Sequence, residues 1–258
     1  MNSIYYKEKG EGPILVFLHG YCESHKIWDV ITPELILHSK VITLDLPGFG
    51  KSPLLKTPFT ISEVSNAVIG FLIAKGIQKC IIIGHSMGGY VALAMAKERP
   101  DLLEGLCLFH STAESDGEEK KINRDRVIEF VKKNGVWPFI ETFVPGLFFK
   151  KESKNIEKAH KIAIRTTKKA LISYAQAMRD RPDMTSFLRT LSIPVLFLAG
   201  EQDSIISTSS LSQQAKSAQH GKMAVLTNVG HMAMFEDSHE VIQLLKSFAR
   251  TCFPSVTI

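Results

Sequence analysis

The chain has 258 residues, room for one large domain or two small ones with a sizeable buried core. Hydrophobic residues make up 45% of it and charged residues 22%, which excludes a disordered or fibrous protein. The net charge of +5 is concentrated, because residues 112–190 hold 17 Lys/Arg against 11 Asp/Glu; without a recognisable module or interleaved aromatics, nucleic-acid binding is not expected from it.

The opening stretch, MNSIYYKEKGEGP, has neither the apolar core of a secretory signal nor the Arg- and Ser-rich character of a transit peptide. Apolar runs such as 14–18 and 195–199 are five residues long, against the roughly twenty needed to cross a bilayer. The expectation is a cytoplasmic protein with no membrane span. Cys22, Cys80, Cys107 and Cys252 form no CxxC pair and have no histidine at zinc spacing, so they read as buried or free thiols, with no metal or cofactor implied.

Short apolar runs recur along the chain: ILVFL (14–18), VITLDL (41–46), CIIIG (80–84), LCLFH (106–110), PVLFLAG (194–200) and MAVLT (223–227). They are continuously apolar instead of alternating, as strands buried on both faces of a parallel sheet must be. Helical spacing follows at 61–74, with Ser62 as its cap, at 89–99, closed by Pro100, and at 241–249. Strand and helix in alternation predict a doubly wound α/β sheet.

Between LCLFH and PVLFLAG lie 83 residues, 111–193, whereas one crossover needs about thirty. Helical patterns at 123–134, 156–166 and 167–178 fill that interval, along with an aromatic run, WPFIETFVPGLFF (137–149), broken by Pro138, Pro145 and Gly146. The expected organisation is an α/β core from 1–111 and 194–258 with a helical cap, 112–193, inserted over the strands' C-terminal edge, where such sheets place their ligands.

The sharpest chemical signal is Gly84-His85-Ser86-Met87-Gly88, a G-x-S-x-G set directly after a strand and directly before a helix. A serine on that tight turn is held in a strained backbone conformation, which small neighbours permit. Its hydroxyl is a weak nucleophile and needs a base. Asp203, after PVLFLAG, and His231, after MAVLT and preceded by Gly230, supply an acid and a base in the order Ser, Asp, His on the same sheet edge. Oxyanion donors are expected from the backbone N–H groups of Met87 and Tyr21, the latter in the His19-Gly20-Tyr21-Cys22 loop.

With these residues placed, the chain resembles the α/β-hydrolase superfamily, in particular the small capped serine hydrolases that include esterases, enol-lactonases and cofactor-free haloperoxidases. The resemblance rests on HGY (19–21), DLPGFGKS (45–52), GHSMGG (84–89), GEQD (200–203) and GHMAMFE (230–236). It implies a mostly parallel eight-stranded sheet, with residues 3–9 in an early antiparallel hairpin. It also implies Ser86 as nucleophile, His231 as general base, Asp203 as its orienter, and Tyr21 and Met87 as oxyanion donors. Many relatives carry proline where this chain has Cys22.

Competing roles exist for several residues. Glu201 is a second acid near Asp203; Asp45 reads as the holder of its turn; His85 and His110 read as packing residues on the catalytic edge; Cys22 reads as a small buried hydrophobe. Trp137, Phe139, Phe143, Phe148 and Phe149 divide between core and cleft, and any that face the cleft favour an apolar group. The expected function is hydrolysis of a small to medium carboxylic ester or lactone. Carbon–carbon cleavage, acyl transfer and perhydrolysis on the same triad are alternatives, as is a ligand receptor on a hydrolase fold. The basic middle segment would suit an acidic carrier protein that delivers the substrate.

Overall fold

The computed structural model describes residues 4–254. Its strands are β1 (Tyr6–Lys9), β2 (Ile14–Leu18), β3 (Lys40–Leu44), β4 (Cys80–His85), β5 (Leu103–Phe109), β6 (Val195–Gly200) and β7 (Gly221–Leu226). They form one sheet in the order β1-β3-β2-β4-β5-β6-β7, parallel except for β1. Central β4 and β6 are buried at every position, while edge strand β7 is largely open. That contrast explains why the central strands read as unbroken apolar runs.

Register sets the ends of the central strands level, with Leu18 opposite Gly84, His85 opposite Phe109 and Phe109 opposite Leu198. The chain goes from β2 to β3 on one side and then to β4 on the other. The order therefore reverses between β2 and β4, where the loops leaving the strands part and open a crevice.

The sheet has seven strands among the described residues, not eight, and β1 forms no hairpin with its successor: β3 lies between β1 and β2. Ser3 lies outside the described residues, and β1 runs directly into the turn at 10–13. That turn crosses the start of β3, where Lys40 N–H donates to the Pro13 carbonyl at 2.9 Å. Gly10, at φ +80°, has the Ser39 carbonyl oxygen 2.2 Å from where a Cβ would sit, so the crossing admits no side chain.

The helices are α1 (Thr32–Leu35), α2 (Ile61–Ala74), α3 (Met87–Glu98), α4 (Glu118–Asn134), α5 (Trp137–Gly146), α6 (Ser153–Ala163), α7 (Lys168–Arg179), α8 (Thr185–Leu188), α9 (Thr208–Ser217), α10 (Ala233–Glu236) and α11 (Ser238–Cys252). In α2, Ile61, Val64, Val68, Ile69 and Leu72 make the buried stripe. Its cap is Thr60, not Ser62: the Thr60 hydroxyl accepts from Glu63 N–H at 3.2 Å and the Glu63 carboxylate accepts from Thr60 N–H at 2.7 Å. That reciprocal pair needs an acid three residues on, and Ser62 has Ser65 there. The aromatic run turns out helical as α5, because Pro138 occupies the first turn, where its missing N–H removes no bond.

Helices α4 to α8 all lie between β5 and β6 in the chain. Two buried tyrosine hydroxyls join α7 to loops leaving the sheet. Tyr174 donates to the Pro47 carbonyl at 2.8 Å, and Tyr21 donates to the Leu171 carbonyl at 2.7 Å. The Tyr174 ring packs on Phe49 and Phe59 with centroids 4.7 and 4.8 Å away. Each such aromatic buries roughly 150–250 Å² of surface in a typical core, so α7 is held by apolar contact as well as by hydrogen bonds. Among the described residues, no helix is long and apolar enough to cross a membrane.

Gly70 sits inside α2, exposed, and a Cβ at that position would have nothing within 4 Å of it. Alanine there gains helix propensity and meets no clash, so Gly70→Ala is expected to stabilise the protein by about 0.5–1 kcal/mol. Thermal melting should show an increase of about 2 °C. An unchanged or lower midpoint would contradict this account of α2.

Candidate active site

Ser86 is the single residue between β4 and α3, at φ +49° and ψ −115°. A side chain at positive φ costs about 1–3 kcal/mol and persists only where its surroundings enforce it. Here Ser86 N–H donates to the Phe109 carbonyl at 2.9 Å, while its own carbonyl accepts from Gly89 N–H at 2.9 Å and Ser111 Oγ at 2.7 Å. The glycines around it answer to close approach: a Cβ on Gly84 would lie 2.4 Å from the Gly88 carbonyl oxygen, and one on Gly88 2.4 Å from that of Leu18.

Asp203 and His231 meet as their positions after β6 and β7 predict. His231 Nδ1 lies 2.8 Å from Asp203 Oδ2, and the carboxylate can only accept, so Nδ1 carries the proton. In the neutral ring, Nε2 is then the acceptor. Ser86 and His231 line one small cavity of about 140 Å³. Larger and more open clefts lie elsewhere, including one of about 650 Å³ beside α6, but Ser86 and His231 line neither of them.

A third ring completes this arrangement. His110 Nδ1 donates to the same Asp203 Oδ2 at 3.0 Å, while Asp203 Oδ1 accepts from the N–H groups of Ile205 at 2.8 Å and Ile206 at 3.2 Å. Burial opposes the charge on Asp203, but His231 and His110 outweigh it and hold the carboxyl well below its usual range. For His110 burial wins, and its pKa is pushed down to about 4. It is a neutral donor at ordinary pH. The donor atoms of His110, Asp203 and His231 lie within 4.8 Å of one another, close enough to share a cation, but the distances to the carboxylate are those of hydrogen bonds and protons take up that space.

His85, beside Ser86 in sequence, faces away from the cavity. Its Nδ1 contacts Glu23 Oε2 and its Nε2 contacts the His231 carbonyl, both at 2.9 Å. Both partners only accept, so both ring nitrogens donate and His85 is an imidazolium. Burial works against charge on both groups, yet their attraction raises the His85 pKa and lowers that of Glu23. Glu23 Oε2 also accepts from Gly20 N–H at 2.5 Å, fixing the loop after β2. In that loop the Tyr21 hydroxyl is spent on Leu171, while among the described residues neither Tyr21 N–H nor Met87 N–H has a protein acceptor.

Other competing readings resolve by position. Asp45 holds its turn by accepting from His25 N–H, Lys51 N–H and His25 Nδ1 at 2.7–2.9 Å. Glu201 is exposed and faces Asn228 N–H at 3.3 Å, while the His231 ring is on Asp203. Cys22 is fully buried, and desolvation pushes its thiol pKa up. Of the five aromatics, Phe139 and Phe143 reach the cavity, stacked 4.9 Å apart; Phe148 is buried against Phe235; Trp137 and Phe149 are exposed.

Two features were not legible from residue types. Glu236 Oε2 accepts from Gly230 N–H at 3.0 Å and Met232 N–H at 3.4 Å, gripping the chain on both sides of His231, while Oε1 takes Phe149 and Lys150 N–H at 2.8 Å each. Its place in GHMAMFE, five residues after His231, was the only signal. Arg124, from α4, lines the cavity with Ser86, a position that the helical pattern at 123–134 does not distinguish.

A model of the alpha/beta hydrolase family matches residues 15–244, and the chain belongs to that family. Its likeness to individual members is more particular. A solved thermophilic esterase from Thermogutta terrifontis, with malate bound, superposes with a TM-score of 0.92 at 30% identity, covering 96% of this chain and 93% of that one. The dihydrolipoyllysine-residue acetyltransferase component of an acetoin cleaving system from Pseudomonas putida is 29% identical over 93% of this chain, which spans only 65% of that protein's length. A pimeloyl-[acyl-carrier protein] methyl ester esterase from Aeromonas hydrophila is 24% identical over 95% of this chain and 99% of its own.

A neutral, buried His110 couples the fold's stability to pH. Unfolded, the ring protonates near 6.5; folded, only near 4. Between those values the unfolded chain binds the extra proton, so acidification destabilises the fold, by about 2 kcal/mol from pH 7 to pH 5. Denaturant titrations at the two pH values should therefore show a smaller acid loss in His110→Gln than in wild type, by about that amount. Equal losses in the two proteins would mean that burial does not lower the His110 pKa.

Proposed function

We propose that the protein is a serine hydrolase of small to medium carboxylic esters or lactones, with Ser86 as nucleophile, His231 as general base and Asp203 as the group that orients it. One observation carries the reading: Asp203 holds His231 by Nδ1, which leaves Nε2 as a base in the same small cavity that Ser86 lines. In the proposed reaction Ser86 Oγ attacks the substrate carbonyl while Nε2 takes its proton. The Tyr21 and Met87 N–H groups hold the oxyanion, helped by the N-terminus of α3. Collapse breaks the carbonyl–oxygen bond, and His231 protonates the departing alcohol. Water then attacks the acyl-enzyme, gives its proton to His231, and the acid leaves as Ser86 regains its own. The balance is ester plus water to acid plus alcohol, and no metal or cofactor takes part.

Residues 112–193 would act as the cap, since Phe139 and Phe143 bring an apolar wall to the cavity. Four buried free cysteines agree with a reducing, cytoplasmic setting. A second reading keeps the triad and changes the delivery. The basic surplus of residues 112–190 suits an ester borne by an acidic carrier, and the similar methyl ester esterase is named for a carrier-linked substrate.

Burst-phase hydrolysis of p-nitrophenyl esters of graded acyl length tests the proposal. Ser86→Ala is expected to lose about a millionfold in kcat, and Asp203→Asn about ten-thousandfold with folding intact. Turnover by Ser86→Ala at the wild-type rate would end the serine mechanism. If wild type is inactive on every free ester, acyl transfer, carbon–carbon cleavage, the carrier-borne ester and a receptor role move ahead. Steep loss of activity with salt on a carrier-bound ester alone would then single out the carrier.

A further inference from the structure

The cavity that holds Ser86 is apolar along Phe139 and Phe143, yet it also holds a guanidinium. Arg124 offers five N–H donors, and among the described residues only Nε is spent on a side chain, donating to Asp116 Oδ2 at 2.9 Å. Asp116 does not neutralise it alone. Its other oxygen, Oδ1, faces Arg181 at 2.8 Å, so one buried carboxylate serves two permanently charged arginines. Arg181 has more partners than Arg124, donating also to the carbonyls of Met178 and Glu114 at 2.7 Å each and stacking 3.9 Å over the Tyr90 ring. The trio therefore carries a net positive charge, and of its two arginines Arg124 is the one that lines the cavity.

Of the other charges around the cavity, only the Glu23 carboxylate and the His85 imidazolium cancel as a pair. Glu23 also lines the cavity, but its Oε2 is turned onto Gly20 N–H and the His85 imidazolium. Asp203 keeps its charge, but both of its oxygens are taken, by His110 and His231 and by the N–H groups of Ile205 and Ile206. An exposed arginine with spare donors is ordinary, since water satisfies it. Arg124 differs because its side chain is only 23% exposed, its Nε is pinned to a buried carboxylate, and it stands in the cavity of the nucleophile. A planar fork held in that way matches a carboxylate in two-point contact.

We propose that Arg124 is a specificity-determining residue that binds a carboxylate on the substrate, so that the preferred substrate is a short monoester, or the equivalent lactone, of a dicarboxylic acid. The proposal rests on the hydrolase reading for its chemistry, but the binding site stands on the cavity alone. The small volume limits the acyl part to a short chain, since drug-sized ligands occupy sites of roughly 300–1,000 Å³ and this one is about 140 Å³. Arg124 then anchors the far carboxylate while the ester carbonyl lies at Ser86.

The test compares kcat/KM for monomethyl succinate and monomethyl glutarate with that for methyl butyrate and methyl valerate, matched in length and followed by methanol release. Wild type should prefer the anionic esters, and Arg124→Gln should reduce the anionic-to-neutral ratio roughly tenfold to a hundredfold, the range for a charged hydrogen-bonded contact. Should the Gln variant not fold, Arg124→Lys keeps the charge and loses the fork, and must still lower the ratio. In parallel, calorimetry measures glutarate binding to Ser86→Ala, alone and with Arg124→Gln added. A wild-type ratio near one, or a ratio that neither Arg124 variant changes, overturns the proposal. Hydrolysis of neutral esters without any Arg124-dependent glutarate binding sinks the carboxylate site and spares the hydrolase reading. Glutarate binding that depends on Arg124, with no ester turned over, does the reverse.

Discussion

The structure hangs on one backbone conformation, the positive φ of Ser86. Nothing in a serine favours it, and the turn exists because β4 runs level with its neighbours and stops where α3 must begin. The sheet supplies the restraint through Phe109 and Ser111, and the glycines at 84 and 88 supply the space in which backbone passes against backbone. Strain at that point is sustained by the burial of β2, β4 and β5 around it.

Around that turn, buried carboxylates do the positioning. A carboxylate without partners is too costly to bury, and each one here takes at least two donors. Glu23 ties the loop after β2 to His85. Asp45 closes the turn after β3. Asp203 takes two imidazoles and two backbone amides, and Glu236 holds the peptide on either side of His231. The result is a set of loops fixed by charge and a cavity whose own walls are mostly apolar. Chemistry that develops charge inside such walls is felt strongly by the few dipoles aimed at it.

Asp116 belongs to the same pattern and differs in one respect. It serves two arginines with a single charge, and so leaves a net positive charge beside the cavity. Helix α7, joined to the core through Tyr174 and Tyr21, brings Met178 both to the cavity and to Arg181. The walls of the cavity and the loops of the sheet are thus joined by the contacts that hold the helices between β5 and β6 in place.

Much of this was legible in the amino-acid order because the signals are local. Continuous apolar runs mark strands buried on both faces, and G-x-S-x-G between such a run and a helix fixes where Ser86 must sit. Asp203 and His231 are marked by the ends of their strands. The end strands were harder, since β1 alternates as any exposed strand does, and whether it pairs with β2 or β3 depends on a loop crossing that residue types do not encode. Likewise the cap of α2 lay with Thr60, because the deciding contact is made by Glu63. What only the tertiary structure decided are the meetings between distant segments: His110 on Asp203, His85 on Glu23, Glu236 astride His231, and Arg124 in the cavity of Ser86. A histidine, a glutamate or an arginine looks the same in sequence whether it faces water or a buried partner, and its charge, its proton and its use are set by what the fold places against it.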